Sequence, residues 1–85
     1  MALYLVRHGP DARIEPELAL ALALDRFELE DGLLLVDSAL GLSPLYHRIK
    51  RALPPDTPLL VAPLAGRPKF KRMAPGALAW LRARQ

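Results

Sequence analysis

The sequence predicts an α+β fold: a ferredoxin-like βαββαβ antiparallel sheet with an extra C-terminal helix, in one domain over residues 1–85. Three observations lead there. Apolar runs at Leu3–Val6, Leu33–Val36 and Leu59–Ala62 have the length of strands and lack helical periodicity. Asp31-Gly32, between Phe27–Glu30 and Leu33–Val36, is a strong hairpin signal. Helix-start signals, Pro16-Glu17 and Ser43-Pro44, fall between the remaining strands. A hairpin set between two crossover units is the split βαβ order. Right-handed crossovers place its first and third strands at the centre.

The first strand, Leu3-Tyr4-Leu5-Val6, ends in Arg7-His8 and breaks at the turn Gly9-Pro10-Asp11. Successive side chains of a strand point to opposite faces, and here both sets are apolar, so both faces are expected to be buried. Pro16 suits the first helical position and Glu17 the positive end of the helix dipole. Leu18 to Leu24 alternates Leu and Ala in the manner of a strand, yet these are the strongest helix formers and the start signal is helical. The expectation is a helix, with Asp25 and Arg26 at its exit.

Phe27-Glu28-Leu29-Glu30 alternates apolar with polar and reads as an edge strand guarded by its glutamates. Leu33–Val36 returns as a central strand. Ser43 is the expected N-cap of the next helix, with Pro44 following it. Leu42, Leu45, Ile49 and Leu53 form its buried stripe, while His47, Arg48, Lys50 and Arg51 fall on other faces. Pro54-Pro55 stops this helix, Leu59–Ala62 is the fourth strand, and Pro63 ends it. A basic loop from Gly66 to Met73 leads to a last helix from about Pro75, carrying Leu78, Trp80 and Leu81.

The pattern contains a tension. The two crossover helices of such a fold cover one sheet face, yet three of its strands are apolar on both. Either the C-terminal helix with Trp80 or a second copy of the chain must cover the other face. A homodimer is expected, with the added helix at or near the interface.

Composition bounds the rest. With 85 residues the chain is near the lower limit for folding without staples, and it has no cysteine for a disulfide or a thiolate metal site. The longest apolar run is far short of the ~20 residues of a membrane span, and no signal-peptide pattern is present. A cytoplasmic, membrane-free protein is the expectation, and nine prolines with many arginines resemble the composition of a thermophile protein. Of the 12 basic residues six lie between Gly66 and Gln85, where no acid occurs, so the rest of the chain holds six basic against nine acidic groups, a net −3. Such a basic tail could attract nucleic acid or dock on the acidic side of a twin subunit.

The chemically suggestive residues lie at the tip of the first strand. There Leu3–Gly9 resembles the histidine phosphatases, the phosphoglycerate-mutase-like superfamily, in which an Arg-His-Gly triplet ends the first strand. The resemblance implies that His8 accepts a phosphoryl group while Arg7 holds its oxygens; a neutral imidazole as nucleophile beside a guanidinium suits that chemistry. Ser43-Pro44-Leu45-Tyr46 is similar to a later stretch of the family, with Arg48 one position beyond the family's arginine. The family's asparagine and second catalytic histidine have no counterpart, since the chain has no Asn and no His after His47. Arg7, His8 and Arg48 are therefore anion-binding candidates, and turnover, if any, would rest on His8 and Arg7. The simpler reading of Arg7-His8 is a polar strand end.

The remaining candidates are weaker. Arg67, Lys69, Lys71 and Arg72, with the basic face of the second helix, could contact a phosphate backbone, but a nucleic-acid-binding sheet normally offers exposed aromatics and here the first strand has only Tyr4. His8, Asp11 and Asp37 could gather at neighbouring strand ends, although aspartates there are more often turn and cap residues. No metal and no cofactor is expected. The function expected is a small non-catalytic binding or assembly domain, with a degenerate histidine-phosphatase-like phosphate binder as the alternative and a basic nucleic-acid-associated module as a third reading.

Overall fold

The computed structural model describes residues 2–9, 25–66, 68–72 and 74–84. The strands are β1 (Ala2–His8), β2 (Asp25–Glu30), β3 (Leu33–Ser38) and β4 (Leu59–Pro63), and the helices are α1 (Leu42–Ala52) and α2 (Ala77–Arg82). The helix expected over residues 16–24 and the turn residues Pro10 and Asp11 lie outside the described residues. The protein is α+β, with a four-stranded sheet in the order β2-β3-β1-β4 and every neighbouring pair antiparallel. The two strands expected at the centre are at the centre. The strand with the alternating glutamates is an edge, and Glu28 and Glu30 are exposed on it.

The registers assign each side chain to a face. Tyr4 lies opposite Val36 and Val6 opposite Leu34 on β3, while Val6 also faces Val61 on β4. These residues form the first face, and α1 lies on it. Leu45 and Ile49 of the helix and its C-cap residue Leu53 pack with Tyr4, Val6, Leu34 and Val36 into the main core, flanked by Leu40, Leu59 and Val61. Each fully buried Leu or Ile there contributes about 1.5–3 kcal/mol. The tyrosine hydroxyl avoids being orphaned by donating to the Leu40 carbonyl oxygen at 2.8 Å.

Leu5, Leu35 and Phe27 share the second face. There α2 contributes Leu81, which is fully buried, as is Leu35. Phe27 of β2 meets Trp80 of α2 with ring centroids 6.2 Å apart at 46°. The C-terminal helix therefore covers its own sheet on the side of β2 and β3. Toward β1 and β4 the cover thins: Leu3, Leu5 and Ala62 are half-buried, and Leu60 is 55% exposed.

Three local expectations need correction. The helix α1 begins at Leu42 with Gly41 as its N-cap (φ −70°, ψ 172°), not with Ser43, and no side chain caps it. Pro44 still fits, because the first turn's N–H groups have no partner inside the helix and a missing one costs nothing there. Leu42, in the first turn, is 43% exposed, so the buried stripe is Leu45, Ile49 and the C-cap residue Leu53. The last helix starts at Ala77 rather than Pro75, and its Leu78 is exposed while Ala77 and Leu81 are buried.

The hairpin between β2 and β3 turns on Gly32, which has φ +79°. Its carbonyl accepts the His8 N–H at 2.8 Å, and a Cβ built on Gly32 would collide with the His8 carbonyl oxygen. Glycine is required twice over, by the left-handed backbone and by the approach of β1. Gly32→Ala is expected to destabilise the fold by about 2 kcal/mol or more, measured by urea denaturation. Gly66→Ala, at a position with open space around it, should change stability by less than about 0.5 kcal/mol.

Candidate functional site

At the carboxyl end of β1 the chain places Arg7 and His8 on opposite faces, because the strand continues through His8, which still pairs with Leu59. Arg7 is exposed on the second face. His8 is only 5% exposed on the first face, and its Nδ1 lies 2.8 Å from the Gly9 carbonyl oxygen. A carbonyl can only accept, so Nδ1 carries the proton and the lone pair of the neutral ring sits on Nε2. Gly9 in turn donates to the Pro58 carbonyl oxygen at 3.1 Å, and a Cβ on it would press against Pro58 and Thr57 at 3.2 and 3.3 Å. The strand tip is thus locked to the segment that leads into β4.

Two shallow cavities flank that junction. One, of about 230 Å³, is bordered by Arg7, His8, Gly9, Pro58 and Leu60. The other, of about 250 Å³, is bordered by Tyr46, Lys50, Pro54, Pro55 and Thr57. Both contain Leu59 in their walls, and each has one cationic side chain at its margin, Arg7 or Lys50. Arg48 is exposed on α1 and borders neither. The Arg7 guanidinium and the buried His8 imidazole border one cavity, and the Lys50 ammonium borders the other.

The other candidates separate. Asp37 cannot join His8: in the antiparallel register it lies opposite Leu3, five residues down β1 and on the other face. Carboxyl ends of adjacent antiparallel strands point apart, which the expected His8–Asp11–Asp37 grouping overlooked. Asp11 lies outside the described residues, and among the described residues no group of His, Asp or Glu could hold a metal. Of the basic loop, Lys69, Lys71 and Arg72 are exposed, and Arg67 lies outside the described residues. No stacking platform accompanies them on the sheet, since Tyr4 is buried under α1 and Phe27 is engaged with Trp80.

Sequence reasoning missed one cluster. Arg84 stacks its guanidinium over the Trp80 ring, 3.9 Å from the centroid, and Nη1 donates to the Trp80 carbonyl oxygen at 2.9 Å. Its Nη2 pairs with Asp25, and its Nε lies 3.4 Å from Asp37 Oδ2 without making a hydrogen bond. Asp25 and Asp37 are themselves opposite one another on β2 and β3. One arginine, two residues past the end of α2, therefore sits between two facing carboxylates and ties the C-terminal segment to β2 and β3. The available signal was an acid inside an otherwise apolar strand, together with a Trp and an Arg four residues apart.

Compared with protein-family models, with curated proteins and with solved structures, the chain matches none.

Removing Arg84 leaves Asp37, 6% exposed, without its counter-charge. Arg84→Met is expected to cost about 1–3 kcal/mol in urea denaturation. Asp37→Asn should cost less in the Arg84→Met background than in the native one, since the two side chains share one interaction.

Proposed function

We propose that the chain is a small binding or assembly domain without catalytic turnover, and that it works as a homodimer on a ferredoxin-like βαββαβ frame. The observation that carries the reading is the half-covered second face. Leu60 stands 55% exposed on the same face as half-buried Leu3, Leu5 and Ala62, while α2, a helix of six residues, packs against β2. Apolar area left at the margin of a small core favours a partner that removes it from water. For the frame, the support is strand order together with direction: β1 and β2 run the same way on either side of β3, the relation that the first two strands have in the split βαβ arrangement.

A second reading is favoured by one observation at the strand tip. The Nδ1 contact of His8 leaves Nε2 as the basic nitrogen, and Arg7 borders the adjoining cavity. The support for a phosphate binder of the histidine-phosphatase kind is that both residues border this one cavity; since they lie on opposite faces, a phosphate touching both must sit beyond the end of the strand.

Sedimentation at micromolar concentration tests the first reading: a mass near twice the 9.4 kDa chain is expected, and a monomer throughout that range contradicts it. For the second, native protein and His8→Ala are compared in phosphate-ester hydrolysis and in phosphate titrations followed by NMR. Equal background hydrolysis in both is expected for a domain without turnover. A phosphate-dependent shift of His8 supports the anion site, and its absence removes it.

A further inference from the structure

The homodimer reading leaves open where the copies meet, and the hydrogen bonds of β4 narrow the choice. Leu64 donates to the Leu3 carbonyl oxygen and Gly9 donates to that of Pro58. These pairs share the β1–β4 register with Leu5–Ala62 and Arg7–Leu60. In an antiparallel ladder hydrogen-bonded pairs alternate with unbonded ones, so Leu60 and Ala62 turn their N–H and C=O groups toward β1. Leu59, Val61 and Pro63 turn theirs outward, where among the described residues no strand pairs with β4. Pro63 has no N–H to present, as befits an edge.

The two edges differ in charge. The outer strand β2 carries Asp25, Arg26, Glu28 and Glu30, the pattern that blocks pairing with another sheet. β4, with the sequence Leu-Leu-Val-Ala-Pro, carries no charge. An antiparallel strand can pair with its own copy across a two-fold axis, and only certain registers use the outward groups.

We propose that two copies join β4 to β4 antiparallel, about a two-fold axis at Leu60, to make one continuous sheet. This rests on the homodimer reading. In that register Leu59 lies opposite Val61 of the other copy, and each satisfies both of the other's outward groups. Pro63 lies opposite Thr57, whose N–H already donates to the Pro54 carbonyl oxygen at 3.1 Å. The two residues with no proton to offer therefore face each other, and no donor is stranded. Leu60 meets Leu60 as an unbonded pair, the type in which side chains approach most closely. The most exposed large apolar side chain among the described residues is thereby buried against itself. A shift of the axis to Val61 would instead leave the Leu59 carbonyl opposite a proline that cannot donate. The sequence alone suggested an interface at the added helix, but α2 lies on the β2–β3 side, away from this edge.

The absence of native cysteine makes the test direct. Leu60→Cys and, as a control on the other edge, Glu28→Cys are oxidised in the full chain, and covalent dimers are read on non-reducing gels. Wild-type mass is measured in parallel by sedimentation, with circular dichroism to establish folding. Unbonded antiparallel pairs have Cα separations near 4.5 Å, within disulfide reach. The expected result is rapid cross-linking of Leu60→Cys, none of Glu28→Cys, and at least a tenfold weaker dimer for Leu60→Lys, which sets two ammonium groups against each other. A wild-type dimer whose Leu60→Cys variant folds yet does not cross-link overturns the β4 junction while keeping the homodimer. A wild-type monomer at micromolar concentration overturns both.

Discussion

Two adjacent central strands with no polar side impose the condition that the rest of this molecule meets. β1 and β3 present Tyr4, Val6, Leu34 and Val36 to one face and Leu5 and Leu35 to the other, so water must be kept from both. α1 answers for the first face with a stripe of three buried apolar side chains. The second is covered by a short helix whose own apolar contribution is mainly Ala77 and Leu81. So small a helix would be a weak lid by hydrophobic area alone. Arg84 compensates by joining Trp80, Asp25 and Asp37 in one cluster at the helix end, binding α2 to two strands through charge and ring stacking.

The same economy governs the ends and edges of the sheet. At the end where β1 finishes, backbone hydrogen bonds to Gly32 and Pro58 tie it to the hairpin and to the start of β4. That junction needs glycine where side chains would intrude, and the two cavities lie on either side of it. At the edges the charges are spent on β2, leaving β4 neutral. Among the described residues no strand pairs with the outward groups of β4, which carries no charge and an exposed leucine, and the proposed assembly rests on these features.

Much of the frame was legible in the sequence because its signals are local. Apolar runs of strand length, Asp31-Gly32 and the spacing of Leu45, Ile49 and Leu53 each report on a few neighbouring residues. The central position of β1 and β3 followed from connection rules alone. What escaped depends on distant residues meeting. Asp37 reads as a strand-end acid until Arg84, on the last helix, is seen beside it. Its supposed grouping with His8 failed because nearness in the sheet was inferred without direction. The start of α1 was misplaced because Ser43-Pro44 is a good local signal, yet Gly41 supplies an adequate extended N-cap and the helix gains a longer first turn. At the candidate site, sequence identified Arg7 and His8 but not their separation onto opposite faces, a consequence of β1 pairing with β4 to its last residue.

The outward-facing groups of β4 carry the central claim, and amide hydrogen exchange reads them one by one. Leu60 and Ala62 donate toward β1 and should be protected at any protein concentration. Among the described residues no strand lies alongside the Leu59 and Val61 amides, and in the proposed dimer they are bonded to the other copy, so their protection should rise as concentration is raised through the dimerisation range. Fast exchange of both at every concentration, with Leu60 and Ala62 protected, would contradict the account.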